Sequence, residues 1–187
     1  MNFKKIFISK KTVFTVNDLK KILDTNNEAS IRNYLSREIK RWLIESIFPW
    51  YFKIIWRDVD NFELASKLKD KSYISLETAL QKYWIIFQDY SHIITSVSNN
   101  SIQKQVWDLF FEYKKIKDDI LYNPIWIINK WNYMIASKER AICDIIYLKS
   151  WFTFDNINWV DLEKLEDISQ IYNKRTILEI KNLIKNA

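Results

Sequence analysis

The chain has 187 residues, of which 48% are hydrophobic and 28% charged, so it can form a buried core and is not a disordered tail. No segment approaches the roughly 18–20 uncharged apolar residues of a membrane-spanning helix, and we expect neither a signal peptide nor a membrane partner. The single cysteine, Cys143, excludes an internal disulfide framework and is typical of a reducing cytoplasm. One cysteine and one histidine, His92, are too few ligands of these types for a zinc site, which is therefore not expected.

Positive charge is concentrated at the start of the chain. Residues 1–57 contain twelve Lys or Arg and five Asp or Glu, a net charge of +7, whereas residues 58–187 contain seventeen and eighteen, a net charge of −1. An AT-rich genome would favour lysine throughout the chain but would not explain this asymmetry. A local positive field is the electrostatic signature of a module that binds phosphates, so we expect the first third to bind nucleic acid.

Two helical patterns separated by a turn follow the first residues. Thr15 and the polar residues after it precede a short apolar period, which predicts a capped helix. A turn is predicted at Asp24–Asn27, and a second helix from about residue 28 to residue 41. The second helix has one apolar stripe, formed by Ile31, Tyr34, Leu35 and Ile39. Two helices joined by a tight turn are typical of a helix-turn-helix.

A β-hairpin is predicted directly after the second helix. Residues 43–48 and 51–55 have the pattern of two strands joined by Pro49-Trp50, so residues 1–58 are predicted to form a winged helix-turn-helix. The candidate DNA-binding residues lie on the free face of the second helix and on the wing: Ser30, Arg32, Asn33, Ser36, Arg37, Lys40, Arg41, Lys53 and Arg57. Arg32, Asn33 and Arg37 have side chains that pair with base edges, whereas the other cations are expected to contact phosphates.

Residues 59–187 are predicted to form a separate mixed α+β domain that begins with a helical linker region at residues 59–84. Helices are predicted at residues 61–68, 75–83, 137–149, 161–172 and 174–184. Strands are predicted at residues 93–98, 103–107, 109–116, 126–128 and 133–136. The fold class of the whole chain is therefore α+β.

Few residues of this second domain suggest catalysis. Without glycine in the sequence, a glycine-rich phosphate loop is excluded as written. Cys143 is interpreted as a buried apolar residue, and His92 as a structural histidine with satisfied hydrogen bonds. The segment KERAICD places Lys138, Glu139, Arg140 and Asp144 within two helical turns, either as capping and salt-bridging residues or as a polar contact patch for a partner. We expect no catalytic residue, no metal and no cofactor.

Several segments resemble the AbiEi-like antitoxins of abortive-infection systems, a phage defence grouped with the type IV toxin–antitoxin systems. FTVNDLKKIL, IRNYLSREIKRWLIE and the wing share a pattern common to many winged helices. NFELASKLKDKSYISLETALQKYWII is similar to the family's linker segment, and IASKERAICDIIYL to its hallmark helix, centred on Glu139-Arg140-Ala141 and Asp144. The resemblance extends from about Phe14 to Lys185.

The resemblance implies a cytoplasmic antitoxin that is also a transcriptional repressor of its own operon. Its winged helix would bind double-stranded DNA repeats in its own promoter. Its C-terminal antitoxin domain would counteract a nucleotidyltransferase toxin encoded beside it, without a stable complex between the two proteins and without a catalytic site. The alternative is an ordinary winged-helix regulator whose C-terminal domain senses a ligand or dimerises. An enzyme such as a fused nuclease is disfavoured, because the sequence lacks a clustered Asp/Glu/Lys site.

The chain contains nine tryptophans and no glycine, although glycine averages about 7% of residues. In the resembling family, glycine is common at the end of the recognition helix, in the wing turn and at the wing end. Here tryptophan occupies those places, and further predicted turns as well: Trp42, Trp50, Trp56, Trp84, Trp126 and Trp131. Some bacteria read the UGA codon as tryptophan and others as glycine. We hypothesise that these positions are UGA codons that the organism reads as glycine, and we assign no binding role to the tryptophans.

Overall fold

A computed structural model describes residues 3–149 and 151–186, and the predicted mixed α+β class is confirmed. The chain forms two compact units, the first ending at Lys67 and the second beginning at Leu68. This division lies at the end of a helix, Asn61–Leu68, which follows the domain boundary predicted at residue 58. Among the described residues, no helix is both long enough and apolar enough to cross a membrane.

The first unit contains four helices and a small antiparallel sheet. Its elements are α1 (Phe3–Phe7), β1 (Phe14–Thr15), α2 (Val16–Leu23), α3 (Glu28–Lys40), β2 (Ile44–Phe48), β3 (Tyr51–Ile54) and α4 (Asn61–Leu68). The strand order is β1-β3-β2, and both pairings are antiparallel. The predicted second helix and hairpin are present, whereas α1 and β1 are too short to have been predicted from periodicity.

Helix α2 begins with a reciprocal capping box. The Thr15 hydroxyl accepts from the backbone N–H of Asp18 at 3.1 Å, and the Asp18 carboxylate accepts from the backbone N–H of Thr15 at 3.0 Å. The same carboxylate pairs with Lys11 at 3.1 Å and with Lys67 at 2.6 Å. Asp18 therefore links the start of α2 to the preceding segment and to α4.

Helix α3 packs on the core of the first unit through a stripe that differs from the prediction at one position. Ile31, Tyr34 and Leu35 are buried as predicted, but the fourth buried residue is Glu38 and not Ile39, which is exposed. Position 38 lies close to the centre of the stripe defined by Ile31 and Leu35, because seven residues complete almost two whole helical turns. Helical periodicity alone predicts that position 38 is buried, but the charge of glutamate argued against including it in the buried stripe.

The second unit combines a six-stranded mixed sheet with five helices among its described residues. Its elements are β4 (Ser72–Ile74), α5 (Leu76–Lys82), β5 (Ile93–Ser98), β6 (Ile102–Val106), β7 (Leu109–Lys115), α6 (Asp118–Leu121), β8 (Ile127–Asn129), β9 (Met134–Ala136), α7 (Lys138–Leu148), α8 (Leu162–Ser169) and α9 (Lys174–Lys185). The strand order is β6-β7-β5-β4-β9-β8. Strand β4 pairs antiparallel with β5 and parallel with β9, so the shortest central strand joins the two halves of the sheet.

Helix α7 is the central helix of the second unit and packs against α5, α8 and α9. Every residue from Glu139 to Ile146 is buried, although the segment includes two acidic residues and an arginine. A helix buried on all sides is ordinarily hydrophobic all round, so the polar side chains of α7 need internal partners.

We predict that Asp18→Asn lowers the stability of the first unit in a pH-dependent way. Burial raises the pKa of Asp18, but hydrogen bonds from Lys67 and Thr15 and the charge of Lys67 outweigh it and lower the pKa to about 2. The carboxylate therefore stabilises the fold above its ordinary pKa of 3.8, and this contribution is lost as the pH falls through about 2. The expected loss is about 2 kcal/mol at neutral pH, and the difference from the parent chain vanishes in acid.

Urea unfolding of the full chain, followed by circular dichroism between neutral pH and about pH 2, measures this loss. Asp24→Asn is the matched control, because Asp24 caps the other end of α2 in a left-handed conformation that asparagine also adopts. Equal losses in both variants, or a loss that does not depend on pH, would contradict the assignment to Asp18.

Candidate nucleic-acid interface and a buried ion-pair cluster

One face of α3 presents a continuous polar and basic surface, which we call the α3 face. It consists of five exposed residues: Arg32, Asn33, Ser36, Arg37 and Lys40. Their spacing follows successive turns of the helix on the side opposite the buried stripe. All five were predicted as DNA-binding residues, and the structure places them together on one surface.

Acidic residues of α3 position three of the arginines. Glu38 Oε1 lies 3.0 Å from Arg37 Nη2 and 3.8 Å from Arg41 Nη1, and Glu28 Oε2 lies 3.5 Å from Arg32 Nη2. Glu38 is buried, so this carboxylate holds two guanidinium groups at the end of α3 from beneath. A preorganised guanidinium loses less side-chain entropy when it binds an anion.

The ring of Tyr34 lies beside the same arginine, with the Arg37 Cζ atom 5.3 Å from the ring centroid. Burial, followed by the negative charge of Glu38, raises the pKa of Tyr34 to about 12. The phenol is therefore neutral at physiological pH and adds no negative charge beneath the α3 face.

Two of the other predicted DNA-binding residues have local roles instead. Ser30 is partly buried in the first turn of α3, and its backbone N–H donates to the Asn27 side chain at 3.0 Å. Lys53 lies opposite Glu45 in the β2–β3 hairpin, and their side chains pair at 3.1 Å. Cross-strand pairing accounts for Lys53, whereas the bond at Ser30 caps α3 through its backbone N–H and does not involve its hydroxyl.

Arg57 was predicted to contact phosphates, and the structure gives it an internal role. Its guanidinium donates to the backbone carbonyls of Ser9 and Lys11 at 2.6 Å each and of Phe7 at 2.7 Å. These carbonyls lie in and just after α1, which itself was not predicted. Arg57 therefore joins the segment after β3 to the start of the chain, and the sequence alone could not distinguish such a cation from a solvated one.

The second unit buries the residues that were considered as a polar contact patch. Arg140 and Asp144 are inaccessible to solvent, Glu139 is almost so, and Lys138 lies at the start of α7 and donates to the backbone carbonyl of Trp159. The contact-patch interpretation is therefore wrong for Arg140 and Asp144, because a partner cannot reach them. The alternative interpretation, capping and salt bridging, describes them.

Arg140 and Asp144 form the centre of a cluster that draws on four parts of the second unit. Arg140 Nε lies 3.6 Å from Asp144 Oδ1, and Arg140 Nη2 donates to the Ile120 carbonyl at 2.6 Å. The carboxylate accepts from the hydroxyl groups of Tyr73 at 3.0 Å, Ser75 at 2.7 Å and Tyr172 at 2.6 Å. These donors come from β4, the residue before α5, and the segment between α8 and α9.

The arginine is also enclosed by aromatic rings. Its Cζ atom lies 5.6 Å from the ring centroids of both Tyr73 and Tyr172, and its Nη1 atom donates to the Ile125 carbonyl at 3.2 Å. Burial raises the pKa of Asp144, while Arg140 and the three hydroxyl donors act in the opposite direction. Burial has the larger effect, so the pKa of Asp144 is raised overall, and its neighbours offset part of the desolvation cost of the carboxylate.

Neither the thiol nor the imidazole lies in a catalytic arrangement. Cys143 is buried, as predicted, and burial raises its pKa well above the ordinary thiol value, which makes it a poor nucleophile. His92, interpreted as a structural histidine, is exposed in the turn directly before β5. Within the described residues, no group of three His, Cys, Asp or Glu side chains is arranged to hold a metal ion.

We predict that Asp144→Ala destabilises the second unit by about 3–5 kcal/mol, because it leaves the Arg140 charge buried without its partner. Asp167→Ala is the control, since Asp167 is exposed on α8 and a surface substitution changes stability by about 0.5 kcal/mol or less. Hydrogen exchange of α7 peptides, detected by mass spectrometry in the full chain, measures the loss of stability in each of the two variants. Similar exchange in the two variants would contradict a central role for the ion pair.

Comparison with known proteins gives no family assignment. No protein-family model matches the chain, and no curated protein matches it significantly. The two segments that resemble AbiEi-like antitoxins lie in the structure as α4–β4–α5 and as α7 with the strand before it. Membership of that family is therefore a hypothesis.

Proposed function

We propose that the first unit is a winged helix that binds double-stranded DNA, with α3 in the major groove and the β2–β3 hairpin as the wing. The element order of two helices followed by an antiparallel hairpin, with β1 added to the sheet, supports this proposal. The observation that carries it is the α3 face, where five polar or basic side chains project from a helix whose opposite side is buried in the core.

The side chains of the α3 face fit a division between base contacts and phosphate contacts. Arg32 and Arg37 can donate two hydrogen bonds to guanine, and Asn33 can pair with adenine. Lys40 and Arg41 lie at the end of the helix and suit phosphate oxygens, which fix register without reading sequence. Arg57 and Lys53 are not assigned to the interface, because the partners of their side chains lie within the first unit. Ser30 is not assigned to it because it is partly buried in the first turn of α3.

We expect Arg37→Ala to weaken binding to a duplex of the chain's own promoter by roughly 1–3 kcal/mol if Arg37 contacts a base. Fluorescence anisotropy at fixed ionic strength measures the affinity, and circular dichroism verifies that the variant is folded. Lys130→Ala removes one exposed positive charge from the second unit and should leave the affinity unchanged. Equal affinities of parent and Arg37→Ala would remove Arg37 from the interface.

The proposed role of the second unit is that of an antitoxin against a nucleotidyltransferase encoded by the adjacent gene. This part rests on the resemblance of the segments around β4 and α7. The buried cluster gives that resemblance a structural interpretation. Residues that enclose an ion pair stabilise one particular fold, so their presence in the sequence indicates a type of domain and not a surface that contacts a partner. We propose no catalytic role, in keeping with the raised pKa of the Cys143 thiol.

Co-expression tests the antitoxin role. The full chain should restore growth to cells that express the adjacent nucleotidyltransferase, and the Arg37→Ala variant should do so equally well, because its substitution lies in the first unit. Growth that the full chain fails to restore would contradict an antitoxin function. Rescue that is lost with Arg37→Ala would show that repression, and not neutralisation by the second unit, accounts for the effect.

An apolar cavity supports a second candidate function, that of a ligand-responsive regulator. It has a volume of about 340 Å³, near the lower limit for small-molecule sites, and its lining includes Tyr73, Leu121, Tyr122, Ile127 and Met134. Tyr73 also belongs to the buried cluster, so a ligand here would contact the centre of the second unit. A regulator of this kind would have no toxin gene beside it.

A further inference from the structure

All nine tryptophans lie in positions that are unusual for this residue. None of them is in a helix or a strand, and all are exposed, from 41% of the residue surface at Trp126 to 94% at Trp151. Tryptophan is normally highly buried on average and favours strands, because its ring contributes a large apolar area. None of the nine rings therefore belongs to the buried core or to a regular element.

Five of the nine adopt a backbone conformation that disfavours any side chain. Eight described residues have a positive φ, and Trp42, Trp50, Trp84, Trp107 and Trp126 are five of them, with φ between 54° and 71°. Tryptophan makes up nine of 187 residues, so chance would place fewer than one there. In this region the Cβ atom approaches the backbone carbonyl, and only glycine enters it without that penalty.

Trp42 and Trp84 both occupy the glycine position of a helix C-terminus. At the end of α3, the N–H of Trp42 donates to the Ile39 carbonyl and that of Leu43 to the Glu38 carbonyl, at 3.0 and 3.1 Å. At the end of α5, the N–H groups of Trp84 and of the next residue make the equivalent bonds, at 3.0 and 2.9 Å. This pair of bonds defines the Schellman motif, whose left-handed residue is usually glycine.

Trp50 and Trp126 occupy the glycine position of type II turns. Trp126 is the third residue of the turn closed by the bond from the Ile127 N–H to the Pro124 carbonyl at 3.2 Å, and its φ is 59°. Trp50, with φ 71°, follows Pro49 in the hairpin between β2 and β3. A type II turn requires a positive φ at its third residue and favours proline before it, so proline–glycine is the expected pair.

Trp107 occupies the glycine position of a two-residue hairpin. Val106 pairs with Leu109 across the β6–β7 ladder, which leaves Trp107 and Asp108 as the loop. Trp107 has a φ of 54°, and Asp108 is not among the described residues with positive φ. A positive φ at the first loop residue alone is the pattern of a type II′ turn, which takes glycine at that residue.

The remaining four tryptophans share the exposure and the loop positions of the other five: Trp56, Trp131, Trp151 and Trp159. Trp56, Trp131 and Trp159 are not among the described residues with a positive φ. Trp56 is the third residue of the turn closed by the bond from the Arg57 N–H to the Ile54 carbonyl, and Trp159 has the same place before Val160. The ring of Trp56 lies edge-on at 6.2 Å to Phe3 and tilted at 6.5 Å to Phe7.

We infer that the natural protein carries glycine at all nine of these positions. A single decoding rule accounts for the whole set: UGA is read as glycine in the organism and has been written as tryptophan in the sequence. Nine glycines in 187 residues amount to about 5%, close to the average of about 7%. Reading these nine codons as glycine therefore removes both the excess of tryptophan and the deficit of glycine. Separate selection for tryptophan at five left-handed positions would need five separate reasons.

Glycine at two of these positions alters the surroundings of the α3 face, and the importance of this change for DNA binding rests on the proposed function. The ring of Trp50 lies beneath Arg32, whose Cζ atom is 5.9 Å from the ring centroid, and Trp42 is exposed at the end of α3. With glycine at both positions, Arg32 keeps only its ion pair with Glu28, and the wing tip presents bare backbone to a DNA groove. The identity of the residues, however, is tested without any DNA.

Peptide mapping by tandem mass spectrometry of the protein purified from its native cells decides the proposal directly. We expect glycine at each of the nine positions, because one tRNA decodes them all. Tryptophan at any of them overturns the single decoding rule.

Recombinant chains supply a second test that depends on backbone strain alone. Replacing the five left-handed tryptophans with glycine should raise the folding equilibrium constant by roughly threefold to tenfold per site relative to the same five replaced with alanine. Alanine is the matched control, because it removes the indole but keeps the Cβ atom. Glycine at Trp56, Trp131 and Trp159 should give no gain, since these residues are not among those with a positive φ and glycine adds freedom to the unfolded chain.

Urea unfolding of the full-length variants measures these differences. A five-glycine chain no more stable than the five-alanine chain would contradict the assignment, and so would an equal gain from the three control positions. Neither result depends on DNA affinity or on growth rescue, so failure here and failure of the proposed function are distinguishable.

Discussion

The ion pair between Arg140 and Asp144 constrains the second unit because neither charge reaches water. Each must find its partners inside, and those partners come from β4, the segments around α6, and the connection between α8 and α9. The sheet and the helices are therefore fixed to one another by polar geometry as well as by apolar packing. An apolar core tolerates repacking, whereas a carboxylate with three hydroxyl donors has few alternative arrangements. This specificity explains how a helix as polar as KERAICD can occupy the centre of a domain.

The longer helices and the hairpins could be predicted from the sequence, because periodicity and turn residues report directly on which side of an element is buried. The failures have a common physical cause. Glu38, Arg57 and Arg140 are charged residues, and no local pattern shows whether such a charge is solvated or held inside the fold. Arg57 and Arg140 bind partners that are distant in sequence, whereas Glu38 is buried although its arginine partners are its neighbours on and just after α3. Strand β4 was missed because three buried residues give no alternation to recognise. The α3 face was predicted well, since exposure opposite an apolar stripe is a local property.

Acidic residues have a consistent place in the first unit, although its net charge is positive. Asp18 caps α2 and joins two lysines, and Glu38 lies buried beneath two arginines at the end of α3. Each carboxylate organises cations that would otherwise repel one another. The number of basic residues in the first third therefore overstates the charge available to a polyanion. The positions of the cations, set by their acidic neighbours, matter more than their number.

The buried thiol of Cys143 has a consequence for observing the second unit in solution. It is the only cysteine in the chain, its sulfur lies 4.0 Å from the Leu165 carbonyl, and it is next to Asp144 in α7. A thiol reagent can reach it only when α7 separates from its neighbours, so the rate of modification reports how often the centre of this unit opens. The Cys143 thiol is thus an intrinsic chemical probe of local opening beside the buried ion pair, and it needs no added label.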